Sequence, residues 1–355
     1  VINRKWLDTL GLEKPTTTEE LKQVLIAFRD GDPNGNGKKD EIPLTYSGRT
    51  SQFRDQNFYG IFGGPIKEPF VIKNGKVTFA GVHPAFKAYV KYFADLYSEG
   101  LIDLESATQT TQDLLAKVDN PAGNTIGWMP VHSGSFWNFE QYPNRTEFEP
   151  MSPPQSPGGP KPEMWLNPGV KAVKNMWFMT DKNPNPELIM AWIDRFYTLE
   201  MTLQCLYGPI GKGVELVNGR WQVIPHPEDP EWLAKNAWPK VEGPGIRTND
   251  DFVNRLILDP VSQRSADVFY EYYVDYVAEE QWHRPELSAE ETTESNQLRT
   301  DIWKLWLESQ ARWITGKGDI DAEWDDYVKQ LENMNLARYI EIAQAAQDRF
   351  LGAQK

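Results

Sequence analysis

Asp32-Pro33-Asn34-Gly35-Asn36-Gly37-Lys38-Lys39-Asp40-Glu41 is the segment that most restricts what this chain can become. Asp32, Asn34 and Asn36 stand at alternate positions and offer side-chain oxygens to one centre. Gly37 stands sixth, where a calcium loop turns sharply, and Lys38 seventh, where the ligand is a backbone carbonyl. The twelfth position, which holds a bidentate Glu in an EF-hand, is Pro43. Asp40 and Glu41 come earlier, so the ring is expected to close early. Asn-Gly and Pro-Asn are also ordinary turn dipeptides, but five oxygen side chains around a correctly placed glycine favour a metal loop over a solvated turn.

The flanks say what surrounds the loop. Thr17 and Glu20 have capping-box spacing, and Leu21, Val24, Leu25 and Phe28 follow at helical spacing. Ile42-Pro43-Leu44-Thr45-Tyr46 after the loop is short and β-prone. The unit is therefore helix–loop–strand, a structural calcium site rather than a sensor that opens a groove. Asp181-Lys182-Asn183-Pro184-Asn185 repeats the D-x-N-x-N spelling. Its sixth position is Pro186, which cannot make the glycine turn, so it reads as a helix entry with Asn185 as cap.

Regular structure alternates along the rest. Phe70–Phe79 around Asn74-Gly75 and Val214–Val223 around Asn218-Gly219 read as hairpins. Phe86, Tyr89, Val90, Phe93 and Tyr97 mark a helix that stops at Gly100. Thr125–Met129 reads as a buried strand, and Trp177-Phe178-Met179 as another. Val1–Leu7 reads as the first turn of an amphipathic helix. Near the end, Trp324, Tyr327, Val328 and Leu331, then Leu336, Tyr339, Ile340 and Ala343, form two helical stripes. The Pro/Gly-rich stretch 149–169 suits a crossing between lobes.

The chemistry is mostly defined by what is missing. With 37 basic and 51 acidic residues the chain carries a formal charge of −14, which disfavours nucleic acid and anionic membranes as partners. Cys205 is the only cysteine, so no intramolecular disulfide forms, and it reads as a small core residue. No HExxH pair, nucleophile elbow or phosphate loop is present. Aromatic residues are abundant instead. Trp128, Trp137, Trp165, Trp238 and Trp282 lie beside Gly, Pro or polar loop residues. There an indole face can cover the C–H face of a sugar while polar neighbours hold hydroxyls. Trp128 and Trp137 bracket a strand and a loop that contains His132. Arg247 and Asn249 follow a Pro/Gly loop near Trp238 and offer hydrogen bonds to a ligand.

Three stretches together resemble a known group. Trp6-Leu7-Asp8-Thr9-Leu10-Gly11-Leu12 with Pro15-Thr16-Thr17 leads into Asp32 through Pro43. Tyr97-Ser98-Glu99-Gly100-Leu101-Ile102-Asp103 is the second, and Ile314–Asp321 with Trp324-Asp325-Asp326-Tyr327-Val328 the third. They resemble the extracellular solute-binding lipoproteins of Gram-positive sugar importers, and the alginate-binding proteins of the same superfamily are similar. The resemblance implies an α/β, two-lobed, periplasmic-binding-protein-like (type II) fold that closes on a ligand. It implies calcium held by Asp32, Asn34, Asn36, the Lys38 carbonyl, Asp40 and Glu41. It further implies that residues 1–150 and 228–355 form a C-terminal lobe and 151–227 the remnant of an N-terminal lobe. The first part of that N-terminal lobe, with a signal peptide and a lipid-attachment cysteine, then falls before Val1.

The function expected on these grounds is capture of an oligosaccharide between lobes, with Trp128, Trp137, His132, Trp238, Arg247 and Trp282 as candidate contacts. A monomer would deliver it to the membrane permease of an ATP-binding-cassette importer at the extracellular face. No catalysis is expected. The alternatives are a polysaccharide-degrading glycoside hydrolase, which needs only two well-placed carboxylates, and a cell-surface carbohydrate-adhesion module.

Overall fold

The helix that leads into the loop starts as its sequence dictates. In the computed structural model Thr17 accepts a hydrogen bond from the Glu20 N–H, and Glu20 accepts one from the Thr17 N–H, both at 3.1 Å. The helix runs Thr18–Asp30 and buries Leu21, Val24, Leu25 and Phe28. The structure describes residues 1–47, 55–64, 69–131, 135–164, 179–226, 228–229, 231–237, 245, 254–282 and 285–352. The chain divides into two compact units, one of residues 1–166 and 267–355, the other of residues 167–266.

The first unit is built on a four-stranded mixed sheet. Ile42–Leu44 pairs in parallel with Ile126–Trp128, which pairs antiparallel with Ile2–Asn3, which in turn pairs antiparallel with Phe148–Glu149. The opening residues differ from expectation. Ile2–Asn3 is a strand, and the helix begins only at Arg4, because Asn3 accepts from the Trp6 N–H and caps Arg4–Leu10. Gly127 sits where Phe28 crosses the sheet, and a Cβ there would overlap the Phe28 ring and crowd the Pro43 carbonyl. Glycine is thus what lets the capped helix lie close on the strand beside the loop's exit.

Residues from both segments of the chain share the core of this unit. The helix Pro84–Ser98 buries Phe86, Tyr89, Val90 and Phe93. Against it pack residues from Ala289–Ile314 and Ile320–Asn333, and Leu336–Gly352 packs on those two helices and on the strand Lys76–Phe79. The Phe86 ring lies 6.1 Å from Trp306 and 6.4 Å from Tyr327. Tyr327 donates to the Gly81 carbonyl at 3.1 Å. The hairpin Phe70–Lys73 with Lys76–Phe79 carries Asn74 and Gly75 at positive φ, 53° and 72°, the conformation that a two-residue Asn-Gly turn requires.

The second unit holds the helices Pro186–Asp194 and Leu199–Tyr207. Its three-stranded sheet is ordered Val214–Val217, Arg220–Val223, Leu256–Ile257. Asn218 and Gly219 turn its hairpin at φ 52° and 80°. Among the described residues, Leu199, Leu203, Val214, Trp221 and Leu256 form a buried cluster in this unit. Asn185 precedes the first helix without a side-chain cap, and Cys205 is only partly buried. Of the strand expected at 177–179, residues 177 and 178 lie outside the described residues. No described helix is long and apolar enough to cross a membrane.

Candidate functional site

The loop between Asp30 and Ile42 folds around its own oxygens. Asp32 adopts φ 46° and Gly37 φ 71°. Both backbone and side chains turn inward. The Asp32 carboxylate accepts from the N–H groups of Asn36 and Gly37 at 3.1 Å. Asn34 Oδ1 accepts from the Asn36 N–H at 3.0 Å, and Asn36 Oδ1 from the Lys38 N–H at 2.7 Å. The Asn34 and Asn36 amides both donate to Asp40, at 2.9 and 3.0 Å, and hold its carboxyl below the usual carboxylate range. The helix Thr18–Asp30 ahead of the loop and the strand Ile42–Leu44 behind it give the helix–loop–strand unit.

Glu41 is the residue at odds with these surroundings. Its Oε1 is buried and, among the described residues, has no hydrogen-bond partner. Burial raises its carboxyl above the ordinary range, and the neighbouring Asp40 and Asp32 charges raise it further. A buried carboxylate oxygen without a donor, beside two other carboxylates, is costly even where backbone N–H groups serve the rest of the group. A hard divalent cation removes that cost, since calcium accepts carboxylate, amide and backbone oxygens together. The donor set fits calcium on this ground, with Asp32, Asn34, Asn36, the Lys38 carbonyl, Asp40 and Glu41 as the oxygens that would hold it. Among the described residues, no cluster of three or more His, Cys, Asp or Glu is arranged as a metal site. The Asn–Asp hydrogen bonds now occupy the loop's interior.

Beneath the exit strand lies a polar network that periodicity did not flag. Leu44 N–H donates to the Leu101 carbonyl at 3.0 Å, and the Asp103 N–H to the Leu44 carbonyl at 2.8 Å. This ties the strand to the Gly100–Asp103 segment. The Asp103 carboxylate, 6% exposed, accepts from Lys117 and Thr45, each at 2.7 Å. Glu41, Pro43, Ile102, Asp103, Glu105 and Lys117 border one shallow depression. The one readable hint was that Asp103 ends the second of the three matching stretches.

The candidate sugar contacts fall in different settings. Trp128 lies in the main core, 4% exposed, its ring 5.0 Å from Phe58. Trp282 lies in the same core, 8% exposed and 4.9 Å from Phe70. Trp137 is outside that cluster, buried between Phe136 at 5.2 Å and Phe139 at 6.1 Å. Its loop is anchored by Arg145, which pairs with Asp119 at 2.7 Å and stacks 3.7 Å from the Tyr142 ring centre. His132, Trp165, Trp238, Arg247 and Asn249 lie outside the described residues. The structure thus places three of the expected contacts and leaves them in two separate settings. One aromatic pair escaped the sequence reading. His226 stacks on Trp232 at 3.8 Å. The Lys212 carbonyl and then Glu228 favour its protonated form and raise its pKa.

No family model matches the chain. Its sequence is 29% identical, over 363 aligned residues, to the fructooligosaccharide ABC transporter substrate-binding protein FusA of Streptococcus pneumoniae serotype 4. The match takes in 98% of this chain and 65% of that protein. FusA in complex with kestose superposes with a TM-score of 0.78 at 28% identity, over 100% of this chain and 72% of that one. The relatives of this chain are ABC-transporter substrate-binding proteins. They are not enzymes. A further FusA structure is an EF-hand mutant in complex with fructo-nystose, at 26% identity and TM-score 0.75, over 100% of this chain and 72% of that one. Two other solved proteins share the fold. An HMO-binding solute-binding protein of Bifidobacterium longum infantis gives TM-score 0.79 at 23% identity, over 98% of this chain and 73% of its own. The alginate-binding protein AlgQ2 without calcium ion gives 0.69 at 23%, over 98% of this chain and 71% of its own. The architecture is accordingly the mixed α/β one of two-lobed solute-binding proteins. The chain spans 65% of the length of the curated FusA sequence.

Proposed function

We propose that this chain is part of an oligosaccharide-binding protein that passes its ligand to an ATP-binding-cassette importer. The observation that carries the reading is the match to FusA through 98% of the chain in sequence and all of it in fold. Fructo-oligosaccharides are the first ligand class to try, since FusA is solved with kestose and with fructo-nystose. Closure of two lobes on the sugar would present it to a permease. Trp137, with His132, Trp238 and Arg247, is the leading set of contacts. Trp128 and Trp282, buried in the main core, would support the fold rather than touch the sugar. A monomer lipid-anchored at the extracellular face completes the proposal, with 1–150 and 228–355 as a C-terminal lobe and 151–227 as part of an N-terminal one. A chain that divides into two units, the first made of two separate segments, supports a two-lobe plan of this kind, with the divisions at 166 and 267 in place of 150 and 228.

Calorimetry on the complete gene product, against kestose, nystose and unrelated oligosaccharides and peptides, tests it. Saturable binding of at least one oligosaccharide is expected. Binding of peptides with no response to any sugar would overturn the substrate class.

The loop 32–41 is proposed as a structural calcium site within that protein. The buried, donorless Glu41 oxygen supports it, as does the existence of an EF-hand mutant of FusA. When bound, the ion would neutralise three carboxylates and fix the helix–loop–strand turn. At about a hundred times its dissociation constant a ligand of the native state adds about 2.7 kcal/mol. Calcium should therefore raise the melting midpoint over a chelator control, and Glu41→Gln should shrink that gap. Identical midpoints with calcium and with chelator would sink the site.

A further inference from the structure

His226 has an oxygen at each ring nitrogen. Its Nε2 lies 2.7 Å from the Lys212 carbonyl, and its Nδ1 lies 3.1 Å from a Glu228 carboxylate oxygen. Glu228 is held ionised, below the usual carboxylate range, by its own backbone N–H and then by the ring. A carbonyl and a carboxylate can only accept hydrogen bonds. A neutral imidazole has one N–H, so one of the two contacts would set a lone pair against an oxygen. The imidazolium donates to both. The ring also stacks on Trp232, with centroids 3.8 Å apart and planes 20° from parallel, an arrangement that suits a cation over an indole face. The other described histidine in a cap shows the opposite case. His83 Nδ1 accepts from the Ala85 N–H at 3.2 Å, and burial lowers its pKa.

Three pieces of the second unit meet at the His226 ring. Lys212 belongs to a tight turn in which the Lys212 and Gly213 N–H groups donate to the Pro209 carbonyl at 3.0 and 2.7 Å. His226 follows the strand Arg220–Val223, and Ile224 between them donates to the Gly213 carbonyl at 2.9 Å. Trp232 opens the helix Trp232–Asn236, which has no fully buried residue, so its hold on the unit leans on Trp232. Glu228 touches the ring, and the Asp229 charge also favours the cation. Lys235, the one cation of the helix, is taken up by Asp229 at 2.9 Å and Glu231 at 3.4 Å. Arg220 on the strand donates to the Leu256 carbonyl at 2.9 Å.

We propose that His226 is a pH-sensitive clasp that fastens the turn 209–213, the end of the strand and the helix Trp232–Asn236 together when protonated, and releases the helix when neutral. On release one ring proton passes to water, one of the two oxygens loses its donor, and the stack on Trp232 loses its charge. The Lys212 carbonyl, more than Glu228, raises the folded pKa. A group raised in this way stabilises fully below its unfolded value, about 6.5, and that stabilisation is lost as pH rises through the folded value. The clasp is therefore shut in mild acid and opens as the medium turns alkaline.

NMR of protein with isotope-labelled histidine nitrogens reads the ring directly, because the chain has only four histidines. His226→Gln assigns its signals. At the ordinary histidine pKa, about 6.5, His226 should remain mostly protonated on both nitrogens, whereas His83 should be neutral. Hydrogen exchange reads the helix. Corrected for intrinsic rate, protection of residues 232–236 should fall about fivefold from about pH 6 to about pH 8.5, the order expected when a hydrogen bond to a cation and its stacking contact are lost. His226→Gln should show the weaker protection at both pH values. Glu228→Gln keeps the ring but removes an anion beside it, so it should move the ring titration and the step in protection to lower pH together. Two results overturn the proposal: a His226 already neutral at its ordinary pKa, or protection of 232–236 that does not follow the ring's titration. No sugar enters these readings. Their failure leaves the proposed function standing, and a protein that binds no oligosaccharide can still close the clasp.

Discussion

Asp103 shows how one side chain can hold the exit of the 32–41 loop in place. Burial alone would raise its carboxyl, but hydrogen bonds from Lys117, from Thr45 and from the Glu105 N–H outweigh burial and hold it below the usual range. A group with a lowered folded pKa stabilises above its unfolded value, about 3.9, and that stabilisation is lost as pH falls through the folded value. Asp103→Asn is therefore expected to cost about 2 kcal/mol at pH 7, and less in acid below pH 4. Urea unfolding at the two pH values measures the difference, and an equal cost at both would show that charge plays no part. The loop's oxygens were readable as a set because calcium chemistry demands alternate positions. Asp103 was not, because Lys117 and Thr45, which decide its burial and charge, are far from it in the chain. The tryptophans follow the same rule. Trp128 and Trp282 look alike in sequence to Trp137, and only their neighbours Phe58 and Phe70 place the first two in the main core.

At the scale of elements, local signals carried most of the reading. Thr17 with Glu20 predicted the start of its helix, and the same arrangement recurs at Thr110 with Asp113 and at Ser288 with Glu291. Thr17→Ala should lower stability by about 1 kcal/mol, visible as a shifted urea midpoint with unchanged slope, while Thr17→Ser should recover most of it. Both Asn-Gly hairpins formed where the turn dipeptide put them. The miss at Val1–Leu7 has a clear cause. A two-residue strand has no periodicity to read, and Ile2 is a strand only because Trp128 and Glu149 stand on either side of it. Gly127 belongs to the same class, since its need for a missing Cβ comes from Phe28, ninety-nine positions earlier.

For the molecule as a whole, the first unit is one fold made from two distant segments. Trp306 is central to that closure, 1% exposed, with Phe79 at 5.2 Å and Phe86 at 6.1 Å from the other segment. Trp306→Ala is expected to cost about 3–5 kcal/mol. Hydrogen exchange should then rise together in 84–98 and 336–352, because both helices close on the same core. Loss of protection confined to the C-terminal helices would show that the two segments open independently. By itself the sequence determined the helix–loop–strand unit, the helix starts, the hairpins and the terminal stripes, since each depends on residues within a few positions of one another. The tertiary structure alone decided which aromatic rings became core, how Asp103 is charged, and which oxygens meet the ring of His226. Burial is a property of what lies across the fold, and the chain does not record that distance as spacing.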